Sequence, residues 1–143
     1  MIDMTPTTSE RRLEDEAACA RLCVDFARHI DARRYGDLLD LFTEDGVLDR
    51  MGRVMRGQQE IASFLYSRPL DVATRHLCTN LRVDVHGDDA DGSCSVLFFR
   101  SEGAAGEPFK ASVPVIVDYQ DRYKRTADGW RIVERRIRPV LHV

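Results

Sequence analysis

Cys19, Leu22, Cys23, Phe26, Ala27 and Ile30 recur at intervals of three and four, the spacing that gathers apolar side chains on one face of an α-helix. Arg11, Arg12, Glu14, Arg21 and Arg28 fall mostly away from that face. The pattern predicts a first helix from Ser9 to Ile30, with Ser9 as its N-cap and Glu10 in the first turn, where the helix dipole favours an anion. Residues 1–8, with Pro6 and several threonines, read as a flexible leader, and residues 9–143 as a single domain. After a break at Asp31 to Gly36, Leu38, Leu39, Leu41 and Phe42 mark a second, shorter helix, which Thr43-Glu44-Asp45-Gly46 ends with turn chemistry.

The periodicity then changes. Val47 to Met55 reads as a strand or hairpin around Gly52. Gln58 to Ser67 carries Ile61, Phe64 and Leu65 at helical spacing and is stopped by Pro69. From there the chain reads as sheet. Arg75 to Val85 runs to a turn at His86-Gly87-Asp88-Asp89, and Ala90 to Arg100 returns. Gly103 to Gly106 is expected as a loop, Ala111 to Thr126 as one long strand, Ala127-Asp128-Gly129 as a hairpin turn and Trp130 to Val140 as the last strand. Helices first and consecutive hairpins afterwards argue for an α+β class: about three N-terminal helices packed on one face of a mostly antiparallel sheet.

Composition narrows the partners. The chain has 143 residues, one domain's worth, a formal net charge of −3, and acids and bases mixed along its length. No basic stripe suits a nucleic-acid backbone, no apolar run is long enough for a membrane span, and Met1 to Glu10 lacks a signal-peptide pattern. A cytoplasmic location is the expectation. Cys19, Cys23, Cys78 and Cys94 show no C-x-x-C spacing and read as buried free thiols. The four histidines, His29, His76, His86 and His142, form no metal-ligand pair, so neither a metal nor an organic cofactor is expected.

Four stretches together carry a resemblance. They are Phe26-Ala-Arg-His-Ile-Asp31-Ala-Arg-Arg-Tyr35 through Phe42-Thr-Glu-Asp-Gly46; Arg56-Gly57 before a short helix; Thr74-Arg75-His76-Leu77-Cys78-Thr79-Asn80; and Tyr119-Gln-Asp-Arg-Tyr123-Lys-Arg125 with Gly129-Trp130-Arg131-Ile132. In this order they resemble the SnoaL-like family of the nuclear transport factor 2-like superfamily, in its scytalone dehydratase and bile-acid dehydratase branch. The resemblance implies a cone-shaped α+β barrel, a curved sheet wrapped around helices with one pocket for a small hydrophobic molecule, and a homodimer formed through the sheet face. It also implies a catalytic histidine–aspartate pair, falling on His76 and Asp31. Some family members have a tyrosine on helix one, where this chain has Phe26, and a further acid or histidine on the strand matching Val96-Leu97-Phe98-Phe99, which here is wholly apolar.

The residues permit that chemistry on their own terms. Histidine takes and returns a proton near neutrality, and a carboxylate on its other nitrogen fixes the tautomer and stabilises the imidazolium. Asp31 stands at the C-terminal end of helix one, where an anion gains from a donor partner. It reads equally as a turn or capping residue, and His76 as a structural histidine. Phe26, Tyr35, Asn80, Phe98, Tyr119 and Arg136 are the candidate substrate contacts. Asn80 lies four residues after His76 and is expected on the same strand face. Tyr119, Asp121 and Tyr123 share one face of their strand and Asp118, Gln120 and Arg122 the other, and the pattern leaves open which looks inward. Arg136 and Arg138 flank Ile137, for a ligand anion or for solvent. Two functions follow: a cofactor-independent lyase, isomerase or cyclase acting on a mostly apolar ring compound, or a non-catalytic ligand-binding or accessory module like the small subunit of ring-hydroxylating dioxygenases.

Overall fold

The computed structural model describes residues 1–2, 4–102 and 110–141. Helix α1 spans Thr8–Asp31 and buries Cys19, Leu22, Cys23, Phe26, Ala27 and Ile30, the face its periodicity selects. Its N-cap is Thr7 rather than Ser9. Thr7 and Glu10 stand three apart and form a capping box: the Glu10 N–H donates to Thr7 Oγ1 at 3.2 Å, and the Thr7 N–H to Glu10 Oε2 at 2.6 Å. Arg33, at φ +57°, breaks the chain direction before α2 (Tyr35–Leu39).

The expected turn at Thr43 to Gly46 is part of a strand instead. β1 runs Phe42–Arg50, and its register against the last strand slips between Phe42 and Val47, so the extra residues bulge without leaving the sheet. Gly46 is required there, since a Cβ would stand 2.9 Å from Phe42 Cδ1. Met51 and Gly52, both at positive φ, turn β1 into β2 (Arg53–Arg56), and α3 follows at Gly57–Tyr66. β3 (Thr74–His86) and β4 (Asp89–Glu102) form a long hairpin. The expected loop at Gly103 to Gly106 lies outside the described residues. The single strand expected from Ala111 is divided into β5 (Lys110–Ala111) and β6 (Val115–Thr126). Pro114, which has no N–H to give a ladder, lies between them. β7 spans Gly129–Leu141.

The sheet order is β2-β1-β7-β6-β4-β3, with β5 on β4. All pairings are antiparallel except β1 with β7. Helix α1 lies across β3, with further contacts to β7 and β4, while α3 packs on β1. The result is an α+β domain in which a helix cluster sits on a curved, unclosed sheet. Among the described residues, no helix is long and apolar enough to cross a membrane.

On β6 the inward face is Val117, Tyr119, Asp121 and Tyr123. On β7, Trp130 and Ile132 point inward; a register shift opposite Arg122 and Tyr123 then changes the parity, so Arg135 and Ile137 point inward. Arg135 is 0% exposed and donates to both oxygens of Asp121, at 2.8 and 2.6 Å. Tyr123 donates its hydroxyl to the same carboxylate at 2.6 Å. The Arg135 guanidinium stands 4.4 Å from the Phe26 ring centre and 4.2 Å from that of Tyr119. A buried charge of this kind is tolerable only because it is paired and hydrogen-bonded.

Candidate active site

Asp31 is the last residue of α1, and the helix lies across β3 so that its carboxylate meets the start of that strand. Thr74 and His76 alternate on β3 and reach the same acid. Thr74 Oγ1 donates to Asp31 Oδ1 at 2.9 Å, the His76 backbone N–H donates to Oδ2 at 2.9 Å, and His76 Nδ1 stands 2.6 Å from Oδ1. The two side chains are nearly closed to solvent, 10% exposed for His76 and 7% for Asp31. Burial pushes the Asp31 carboxyl up, but the His76 ring, the His76 N–H and Thr74 together outweigh it and hold the group below the usual carboxylate range. An ionised acid here accepts from Nδ1–H, so the neutral imidazole carries its free lone pair on Nε2. Phe98, the cross-strand partner of His76 on β4, lies against the imidazole with ring centres 4.8 Å apart.

Two arginines brace this corner. Arg68, just past α3, donates to Thr74 Oγ1 at 3.0 Å, to Ile30 O at 2.9 Å and to Tyr35 Oη at 3.0 Å. Arg33 donates to Tyr35 Oη at 3.2 Å, to Pro69 O at 2.6 Å and to Val72 O. The segment leading into β3 is thereby tied to the end of α1.

A cavity of about 230 Å³ opens at the dyad. Ile30, Phe64, Val72 and Phe98 supply apolar wall, and Thr74 and His76 the polar floor. Arg33, Arg50, Arg68 and Arg100, with Ser67 and Pro69, complete the lining. The cavity is therefore more cationic than the apolar stretch Val96-Leu97-Phe98-Phe99 implies. Of that stretch only Phe98 reaches it: the alternation of the strand turns Leu97 and Phe99 to the other face, where Phe99 lines a separate shallow hollow beside Arg75, and Val96, on the face of Phe98, is buried in the core.

The other expected contacts are dispersed. Tyr35 is buried and does not line the cavity; it holds the two bracing arginines that do. Phe26 and Tyr119 are core rings in edge-on contact, 6.0 Å apart, and burial drives the Tyr119 phenol well above its ordinary range. Asn80 is not on the His76 face. β3 is irregular between Thr79 and Arg82, Asn80 sits there at φ +53°, and its side chain is exposed. Arg136 is turned outward by the β7 parity change, 3.9 Å from Asp49 and 3.4 Å from Glu134. Arg138, also outward, forms a two-pronged pair with Asp49 at 3.0 and 2.6 Å. His86 is exposed near Asp91, and His142 lies outside the described residues.

Residues that the sequence reading did not single out are Thr74, Arg100, Arg50, Arg33 and Arg68. Thr74 and Arg100 had a signal, each being two positions from a candidate, His76 or Phe98, on the same strand face. Arg33 and Arg68 lie in connections and had none. The fold also gathers three of the four thiols: the sulfurs of Cys23, Cys78 and Cys94 lie within 4.8 Å of one another, with Cys23 and Cys94 at 3.5 Å. No local spacing announces this, since the three come from α1, β3 and β4.

A curved sheet holding a helix over a cavity, with an acid–base pair at the helix end, defines a small pocket-bearing α+β protein. The SnoaL-like domain model matches residues 11–136, and the chain belongs to that family. An uncharacterized protein of Mycobacterium tuberculosis is 32% identical over 133 residues, covering 89% of this chain and 86% of the relative. An NTF2-like protein with a cystatin-like fold from Novosphingobium aromaticivorans superposes with a TM-score of 0.79 at 24% identity, over 93% of this chain and 86% of the other. A provisionally assigned scytalone dehydratase from the same organism gives 0.79 at 21% identity, over 96% and 93%. At these identities the two structures speak for the fold.

Proposed function

We propose that the protein is a cofactor-independent lyase or isomerase in which His76, oriented by Asp31, moves a proton on a small ring-containing substrate. The observation that carries the reading is the 2.6 Å contact with a buried carboxylate made by Nδ1 of His76, a residue that lines the cavity. Asp31 fixes the ring and stabilises the imidazolium formed when Nε2 takes a proton from a carbon beside a carbonyl or a leaving group. The same nitrogen then returns the proton to the departing oxygen, for elimination of water, or to another carbon, for double-bond migration. The dehydratase assignment of a structural relative agrees with this class of reaction. A homodimer is part of the proposal: Leu77, Leu97, Ile116 and Leu141 are cross-strand partners in a row over β3, β4, β6 and β7, and Leu77 and Leu141 are more than half exposed.

The test is a panel of ring compounds bearing an acidic C–H beside a carbonyl and a hydroxyl at the β position, assayed for double-bond formation. His76→Ala should lower turnover by about two to four orders of magnitude. Turnover by that variant at the parent rate would leave the cavity as a passive binding site.

A further inference from the structure

The cavity is lined by four guanidinium groups, in a chain whose acids outnumber its Lys and Arg, 24 to 21. Several arginines elsewhere meet acids: Arg12 meets Glu16, Arg82 meets Asp84, Arg125 meets Asp15 and Asp88, Arg135 meets Asp121, and Arg138 meets Asp49, while others that stand exposed, such as Arg21 and Arg75, meet none among the described residues. Among the described residues, no carboxylate pairs with Arg33, Arg50, Arg68 or Arg100. The nearest acid to the cavity floor, Asp31, is committed to Thr74 and His76.

The four cations divide into two kinds. Arg33 and Arg68 spend their donors on Tyr35, Thr74 and backbone carbonyls, and so hold the wall. Arg50, at the end of β1, and Arg100, exposed and on the same face of β4 as Phe98, make no hydrogen bond through their guanidinium groups among the described residues. Arg50 is half-buried, with its guanidinium 5.7 Å from the Phe64 ring centre, and Arg53 faces the same ring at 5.3 Å. Burial and then the charges of Arg53, Arg68 and Arg100 hold Arg50 below its usual range. Crowding cations in a partly desolvated place is unfavourable unless an anion joins them, and a guanidinium is the group that grips a carboxylate or phosphate with two parallel donors.

We infer that the molecule taken by this cavity carries a carboxylate or phosphate, bound by Arg50 and Arg100, with its apolar body between Phe64 and Phe98 and its reacting carbon toward His76. The inference rests on the cavity being the substrate site of the proposed reaction, and it adds an anionic group to the mostly apolar ring compound expected there. A cavity of about 230 Å³ is small for a ligand site, which suits a one-ring acid. A local positive field in a net acidic protein also draws an anion in from solution.

The test is equilibrium binding of three one-ring probes, cinnamate, its neutral isostere cinnamamide, and phenyl phosphate, read by calorimetry and by amide NMR shifts at His76, Phe98 and Arg100. Cinnamate or phenyl phosphate should bind about tenfold or more tightly than cinnamamide, and added salt should erode that advantage. Whichever anion binds more tightly identifies the preferred group. Arg50→Gln and Arg100→Gln should each collapse the preference, with folding checked by circular dichroism. Cinnamamide binding as well as the anions, shifts appearing away from the cavity, or no binding by any probe would each overturn the inference. His76→Asn should keep the preference while losing turnover. Because binding is read without turnover, an indifferent cavity leaves the dyad standing, and an inert dyad leaves the anion preference standing.

Discussion

Among the described residues, two pairings of an aspartate with a nitrogen base have both side chains nearly closed to solvent, and they are built for opposite ends. Asp121 and Arg135 are 1% and 0% exposed, joined by two hydrogen bonds, with Tyr123 on the same carboxylate and aromatic rings against the guanidinium. Asp31 and His76 are slightly open, and His76 lines a cavity. An arginine keeps its proton throughout the accessible pH range, so the first pair can only be made or broken. A histidine exchanges its proton near neutrality, so the second can do work. Burial alone therefore marks neither pair as functional. What separates them is whether the base can release its proton and whether a molecule can reach it.

The largest effect that sharpens this contrast is on activity. His76→Ala should cost about two to four orders of magnitude in turnover, with a smaller loss of stability than a change at Arg135, because Asp31 keeps the Thr74 hydroxyl and the backbone N–H of residue 76. Next is Arg135→Met, which strands the Asp121 charge in the core and should destabilise by about 3–5 kcal/mol in urea unfolding. A mild loss there, or a severe one at His76, would erase the distinction between the two pairs.

A third effect concerns pH. Asp31 titrates lower in the folded protein than the usual value near 3.9, so the stabilisation from its charge is present above that value and is lost as pH falls through the lower folded value. Urea midpoints of the parent and Asp31→Asn should therefore differ near neutral pH and converge in acid. A gap that stays constant down to about pH 3 would mean the charge is not what the pairing stabilises.

The helix and sheet pattern was largely legible in the sequence, while the meeting of Asp31 with His76, 45 positions apart, was expected only through the resemblance. What stayed hidden came from irregularities and from long-range packing. One-residue shifts in β3 and β7 reverse a strand's facing, and such shifts expose Asn80 and turn Arg135 inward in place of Arg136. Periodicity carries no sign of either. Arg33, Arg50, Arg68 and Arg100 come from four separate elements and connections, so their convergence is a property of the tertiary fold. The N-cap was readable in principle: Thr7-Thr8-Ser9-Glu10 is a capping box counted from Thr7. Thr7→Ala should cost about 1 kcal/mol, the smallest effect proposed here, measured by thermal unfolding; no change would assign the cap elsewhere.

In the proposed mechanism Asp31 fixes the imidazole of His76 with Nε2 free to take a proton. Nitrogen-15 NMR of the His76 ring, followed towards alkaline pH until its shifts stop changing, reads the tautomer of the neutral ring. The expected result is a protonated Nδ1 and a bare Nε2 in the parent protein, with that single tautomer lost in Asp31→Asn. A proton on Nε2 in the parent, or a tautomer unchanged by the substitution, would contradict it.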